Sequence, residues 1–314
     1  MALQIVDPRR EYQSNFLDLL GGLNNAKSDE LIYSNECSDV SNFVPDRLQS
    51  GVLIKRPGIT QSSGNQLSEA TTSIFEGYQK NWYSTLTKIY DIDSDGSASI
   101  DSLTSTTAPD WTRFDDASLG KVDIFVNGAE EKRYVSSWAN VGGSPPNFTT
   151  IESYNRFVFG GGHDAGKVRW CAQENVDSWP AANEFFFDDD IVGLKRFRDS
   201  LMVFCDKSVH HIEGFDETRM EITDSNRQIG CTSHRSIVVC RFGVFWWNEQ
   251  GMMWSPNGKE IFNPSMTKIP GVVANLNKTK HADVHGMWNP LEECVELFFM
   301  NSGSTSHDKK ILYY

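Results

Sequence analysis

From about residue 70 onward, short apolar runs alternate with polar turns. The runs are KIYDI around Ile89, VDIFV around Phe125, RFVFGG around Phe159, LMVFC around Phe204, GVFWW around Phe245 and VELFFM around Phe299. Each is too short for a helix and rich in aromatic or β-branched residues, so each reads as a strand. Their named centres lie 36, 34, 45, 41 and 54 residues apart. A second landmark, Ser-Trp, recurs at Ser137-Trp138 and Ser178-Trp179, 41 residues apart. A period of roughly 40–50 residues holding about four short strands is the signature of propeller blades. One blade cannot bury both of its faces, and stacking on its neighbours supplies the missing contacts. The predicted fold class is all-β, with propeller-like repeats of antiparallel meanders. A large sandwich with irregular loops is the competing architecture.

The stretch 224–265 shows the pattern most densely. SIVVC, GVFWW, GMMW and KEIF are separated by Arg-Phe-Gly, Asn-Glu-Gln-Gly and Ser-Pro-Asn-Gly. This predicts a four-strand meander with a hairpin at Pro256-Asn257-Gly258. Trp246, Trp247 and Trp254 are expected to pack within or between blades.

Residues 1–70 differ. Gly21-Gly22 and Asn24-Asn25 break the periodicity early, and a short helix is expected around 34–42. Gln49-Ser50-Gly51 then turns into VLIKRPG, a strand. The expected organisation is an extended N-terminal arm or platform over 1–70 and a propeller-like domain over 71–314. That domain is either incomplete or closed by the N-terminal strand. KKILYY reads as a strand whose partner is VLIKR or a strand from another subunit.

Composition narrows the function classes. The chain has 314 residues, 39% hydrophobic and 12% aromatic, enough apolar mass for a sizeable core. A formal net charge of -13 makes it a poor phosphate clamp and argues against general nucleic-acid binding. Six cysteines form no C-x-x-C pair, and Cys205 and Cys240 sit inside apolar runs, where a thiol behaves as a small hydrophobe. The first residues lack an apolar leader core, and no run of about 18 apolar residues occurs. These features predict synthesis in a reducing cytoplasm, free thiols and no membrane contact.

Candidate chemistry is sparse. DIDSDGSASIDS places Asp91, Asp93 and Asp95 at positions 1, 3 and 5 of a calcium loop, with Gly96 at 6. Position 12, where a bidentate Glu is needed, is Ser102, and TLTKIY before it reads as a strand. An Asp-rich hairpin turn explains the segment without calcium. His281 and His285 have the i, i+4 spacing of a helical metal pair but lack the intervening Glu. His210 and His211 are adjacent, so on a strand one should pack and the other meet solvent. FFFDDDI, from Phe185, reads as a strand ending in an acidic turn. GGGHDAG, from Gly160, lacks the Lys-Ser/Thr of a phosphate loop and reads as a hairpin turn. Basic residues are scattered: Arg9-Arg10, Lys55-Arg56, and Lys195-Arg196 with Arg198. No nucleophile–base pair, cofactor loop or metal cluster emerges, so the chain is not expected to be an enzyme.

Several segments together resemble one family. FLDLLGGLNN followed by SNECSDVSNFVPDRLQSGVLIKRPGI is similar to the opening of phage tail proteins. There a Gly-Gly-hydrophobic-Asn element leads to an Asn-containing helix and then to a strand ending in Arg-Pro-Gly. Here those positions are Gly21, Gly22, Asn24, Asn42, Gly51, Lys55, Arg56, Pro57 and Gly58. SPPNFTTIESYNRFVFGGG, KVRWCAQENVDSW, DSLMVFCDKSVHHIEGF and GCTSHRSIVVCRFGVFWWNEQGMMWSPNGKEI follow in the family's order. The family is the head-to-tail hub, or nozzle, of short-tailed phages, also described as tail tubular or packaged-DNA stabilisation proteins.

The resemblance implies a homo-oligomeric ring, a hexamer, below the portal and adaptor of a virion tail. It would be assembled in the host cytoplasm and contact the adaptor, portal and distal tail proteins. It would touch passing DNA only transiently, without specific nucleic-acid binding. These motif residues would serve assembly, with Lys55-Arg56 docking on an acidic partner surface. The alternative function is a receptor- or glycan-binding propeller of the tail. That reading calls for a Trp platform beside two carboxylates ~5–9 Å apart.

Overall fold

The structure, a computed structural model, describes residues 71–314 except 93–97, 101, 105–106, 227, 308 and 314, together with the backbone of four short strands before residue 71. Two compact units are distinguished. One comprises residues 1–64, 250–253 and 262–276, and the other residues 65–249, 254–261 and 277–314.

In the first unit, β1 (Gly22–Leu23) pairs in parallel with β2 (Glu36–Cys37), and β3 (Phe43–Pro45) pairs antiparallel with β4 (Leu53–Lys55). Glu36–Cys37 is therefore extended where a helix was expected. The VLIKR segment takes Phe43–Pro45 as its partner, not KKILYY. The same unit holds two short helices, α1 (Pro264–Lys268) and α2 (Pro270–Ala274). Pro opens both, and the Asn263 side chain caps α1 by accepting from the Met266 N–H.

The strands from Ser73 onward form a β-propeller. Among the described residues it contains six antiparallel blades in chain order. The first runs through β5 (Ser73–Glu76), β6 (Asn81–Ser84), β7 (Ile89–Asp91) and β8 (Ala98–Ile100). The second has β9 (Asp110–Asp116), β10 (Gly120–Val126), β11 (Glu131–Tyr134) and β12 (Trp138–Asn140). The third has β13 (Thr150–Tyr154), β14 (Phe157–Gly161), β15 (Lys167–Trp170) and β16 (Glu184–Phe186). The fourth has β17 (Ile191–Phe197), β18 (Ser200–Cys205), β19 (Val209–Glu213) and β20 (Glu221–Asn226). The fifth has three strands, β21 (Val238–Cys240), β22 (Gly243–Asn248) and β23 (Gly251–Ser255). So does the sixth, with β24 (His285–Asn289), β25 (Cys294–Phe299) and β26 (Lys309–Tyr313).

Five of the six apolar landmarks fall on the second strand of successive blades: β10, β14, β18, β22 and β25. KIYDI is out of phase and forms β7, the third strand of the first blade. The Ser-Trp pairs are not equivalent either. Trp138 begins β12, whereas Trp179 lies in the loop between β15 and β16, donating its indole N–H to the Val176 carbonyl at 2.7 Å. KKILYY forms β26 and pairs with β25, with Val295 opposite Tyr313.

The fourth strand expected at KEIF is missing. Asn257 Oδ1 accepts from the amides of Lys259 (3.0 Å) and Glu260 (2.9 Å), diverting two donors from a ladder. Gly258, at φ +88°, lies beyond the reach of most L-residues. The segment is thus a local turn, and three strands complete the blade.

Hydrophobic cores lie between blades. Trp82, Ile89 and Leu103 of the first pack on Trp111, Phe125 and Tyr134 of the second. Phe114, Val122 and Ile124 of the second meet Ile151, Val158 and Trp179 of the third. Phe157, Phe159 and Trp170 of the third meet Leu194, Val203 and Ile212 of the fourth. The second strands β14, β18 and β22 are therefore covered on both sides, and all six residues of β22, Trp246 and Trp247 included, are buried. The same arrangement overturns the expectation for His210 and His211, since both are buried. His210 pairs with Ser208 Oγ (2.9 Å), and His211 bridges Ser200 Oγ (3.0 Å) and the Gly258 carbonyl (2.9 Å).

Candidate functional site

The first strand of each blade borders a shared central cavity of about 1230 Å³. In the fifth blade, the 3-10 turn His234–Ser236 before β21 takes that place. A first strand has one edge with no strand beside it, and its amides need partners. Side chains of the preceding blade supply them. Asp110 Oδ2 accepts from the Ile151 amide at 3.0 Å. Thr112 Oγ1 accepts from the Ser153 amide at 3.0 Å, and Thr150 Oγ1 from the Leu194 amide at 3.1 Å. One register thus repeats from the second blade to the third and from the third to the fourth.

An ionic network crosses the same three blades. Lys195 Nζ lies 3.4 Å from Asp110 Oδ1 and 3.4 Å from Glu152 Oε2. Asp110 also accepts from the Thr150 hydroxyl at 2.7 Å and from the Trp111 amide at 2.9 Å. Burial raises the Asp110 carboxyl, but the charges of Lys195 and His234 and its hydrogen bonds outweigh this and hold it below the usual carboxylate range. Burial holds Glu152 above that range, opposed by Lys195 and reinforced by the Asp110 charge. Burial works against the Lys195 ammonium, yet the two acids together hold it above the ordinary lysine value.

Histidines line the cavity too. His285 stacks on Phe298 with ring centroids 4.8 Å apart and meets the edge of His307 at 4.4 Å. Burial, with His307 and Arg235 beside it, lowers His285 to about 4. Burial also lowers His234. Both rings place a buried nitrogen, His234 Nε2 and His285 Nδ1, without a hydrogen-bond partner.

Sequence reasoning did not single out Asp110, Glu152 or His234, and it treated Lys195 as one of several scattered basic spots. A signal was present. Asp110, Glu152 and Lys195 follow one another at 42 and 43 residues, the same period as the apolar runs. Charges in phase with a strand repeat point to one shared ring of positions.

The residues that were singled out are not brought together. Asp91 ends β7, buried, with Lys80 Nζ 2.6 Å away as its counter-charge. Asp93 and Asp95 lie outside the described residues. His281 sits in a 3-10 stretch against Trp247, and His285 opens β24, so the helical metal pair does not form. Among the described residues no three metal-ligating side chains cluster. FFFDDDI is a strand end followed by an acidic turn, with Asp189 accepting from Ser208 at 2.9 Å. GGGHDAG is the turn between β14 and β15, with Gly162 and Gly166 at positive φ. Gly22 and Lys55 lie on β1 and β4. Gly21, Asn24, Asn42, Gly51, Arg56, Pro57 and Gly58 are outside the described residues. Cys171, Cys205 and Cys231 are buried free thiols whose burial pushes each up to about 12, leaving them inert.

No protein-family model matches the chain, and no curated protein matches it. Solved structures with a similar course include BamB from Moraxella catarrhalis, at 12% identity and TM-score 0.49, covering 79% of this chain and 76% of that one. BBS1N in complex with ARL6DN is similar at 14% identity in two crystals. The mercury-soaked crystal has a TM-score of 0.42 and covers 67% of this chain and 70% of that one. The lead-soaked crystal has a TM-score of 0.46 and covers 83% of each.

Proposed function

We propose that the chain is a structural protein of a phage tail, the head-to-tail hub or nozzle, acting as a ring that extends and closes the DNA exit channel. One observation carries the non-catalytic part of this reading. The acids and the base best placed for chemistry, Asp110, Glu152 and Lys195, are used on each other and on neighbouring backbone amides. Asp110 has four donors around it, so it offers no free lone pair for a nucleophile's or general base's work. Such a network holds blades in register, which suits a part that bears load. The tail assignment itself rests on the sequence resemblance.

The cavity's size bears on the route of such a channel. A duplex whose major groove alone is about 12 Å wide does not fit a space of about 1230 Å³. The channel would run between copies of the chain, not down the axis of one propeller. The acidic balance of the chain, -13, would let DNA slide past such a wall. The glycan-binding alternative needs an open aromatic platform. Trp111, which lines the cavity, is instead stacked on Phe75 at 5.2 Å and edged by Phe125 at 4.8 Å.

Light scattering and electron microscopy of the purified chain test the proposal. A closed ring of six copies that binds adaptor and portal proteins is the expected result. A stable monomer that assembles with neither, or one that releases reducing sugar from glycans, would overturn it.

A further inference from the structure

The central cavity carries the opposite charge from the chain around it. Its lining includes four permanent cations, Arg113, Lys195, Arg196 and Arg235, against two acids, Asp110 and Glu152. Lys195 is consumed by those acids. Three guanidiniums remain. Arg235 has only a long contact to Asp283, at 3.8 Å. Arg113 lies over the Tyr78 ring at 5.6 Å, and among the described residues neither Arg113 nor Arg196 makes an ion pair. In a chain of net charge -13, leaving two arginines without an ion pair and a third with only a long one around one cavity is a local reversal of charge.

A second observation concerns the walls. His234 and His285 line the cavity, and each carries a buried nitrogen, Nε2 and Nδ1 respectively, that lacks a partner. Buried polar atoms of this kind are normally satisfied by something. They belong to adjacent blades, the fifth and sixth, on the side that also holds Arg235.

We propose that the cavity is a binding site for a small multivalent oxyanion, a phosphate- or polycarboxylate-bearing molecule. Guanidiniums take such groups in bidentate fashion. The space, about 1230 Å³, exceeds what a single inorganic ion needs and suits a molecule of cofactor size. The site is independent of the tail assignment, because a hub or any other propeller could carry it.

Isothermal titration of the full chain with inorganic pyrophosphate and with citrate, at fixed ionic strength, tests the site. One equivalent of at least one anion is expected to bind, with a rise in Tm. Arg196→Gln and Arg235→Gln should each weaken binding about tenfold, whereas Lys259→Gln, away from the cavity lining, should leave it unchanged. Binding of pyrophosphate alone points to phosphorylated ligands, and of citrate alone to polycarboxylates. Absence of heat and of a Tm shift with both anions would overturn the proposal. So would binding that survives Arg113→Gln/Arg196→Gln/Arg235→Gln in a protein whose circular dichroism is unchanged, or that falls equally in Lys259→Gln.

Discussion

Between the second and fourth blades, one lysine answers two carboxylates, and two successive inner strands, β13 and β17, have edge amides taken by the blade before them. The sixth blade and the first are different. Ile74 on β5 is 73% exposed, and Met287 on β24 is 48% exposed. Among the described residues, no hydrogen bond, ion pair or ring contact passes from Ser73–Glu76 to the sixth blade, or from His285–Asn289 to the first. The other junctions are tied. Trp111 donates to Ser73 Oγ at 2.7 Å, and Trp82 to Asp123 at 3.0 Å, joining the first two blades. The Cys231 amide reaches the Cys205 carbonyl at 2.9 Å, and Phe204 meets Trp246, joining the fourth and fifth. Ser233 Oγ donates to the Val284 carbonyl at 2.6 Å, and Trp247 stacks on Phe299, joining the fifth and sixth. Among the described residues five junctions are thus fastened, and the one between the sixth blade and the first, the seam, shows no such tie. Polar groups inside a fastened junction are costly to disturb because burial makes each of them depend on its partner.

The largest effect should come from Lys195→Met. It leaves Asp110 and Glu152 buried without their counter-charge, and removing one partner of a buried ion pair costs about 3–5 kcal/mol. Urea unfolding would read the loss, and a change under 1 kcal/mol would mean that the network is ornamental. Thr150→Val comes next. It removes the hydroxyl that donates to Asp110 and accepts from the Leu194 amide, leaving both short of a partner. About 1–3 kcal/mol should be lost, read as a shift in denaturation midpoint at constant slope.

A pH series separates the two regions further. The His285 ring, held at about 4 in the fold, protonates in the unfolded chain near 6.5. Between those values the unfolded state binds more protons, so stability falls as pH is lowered from about 6.5 toward 4. His285→Gln should flatten that part of the profile. An unchanged slope between pH 7 and pH 5 would show that the ring titrates alike in both states. The smallest effect belongs to the seam. Ile74→Ser and Met287→Ser should change the stability of the isolated chain by no more than about 0.5 kcal/mol, and a larger loss would show the seam to be closed.

Much of the fold was legible in the sequence because blades repeat the same burial problem. From the second blade to the fifth the second strand is covered on both faces, so VDIFV, FVFGG, LMVFC and GVFWW are predominantly apolar and easy to find. The same double cover hid other features. His210 and His211 could not divide between core and solvent, because neither face of β19 meets solvent. KIYDI was taken in the wrong phase because the true second strand of the first blade, NWYS, carries one large anchor, Trp82, and polar neighbours. KEIF failed as a strand because Asn257 diverts backbone donors, an effect of two hydrogen bonds that an apolar pattern does not encode. The central charges escaped because Asp110, Glu152 and Lys195 are distant in sequence and ordinary in isolation. Only the repeat period places them together.

Hydrogen exchange followed by mass spectrometry tests the contrast between fastened and open junctions most directly. The amides of Ile151, Ser153 and Leu194, each bonded to a side chain of the preceding blade, should exchange only through global unfolding. Amides of Ser73–Glu76 and His285–Asn289 should exchange by local opening at far lower cost. Equal protection at the inner strands of all six blades would contradict the account.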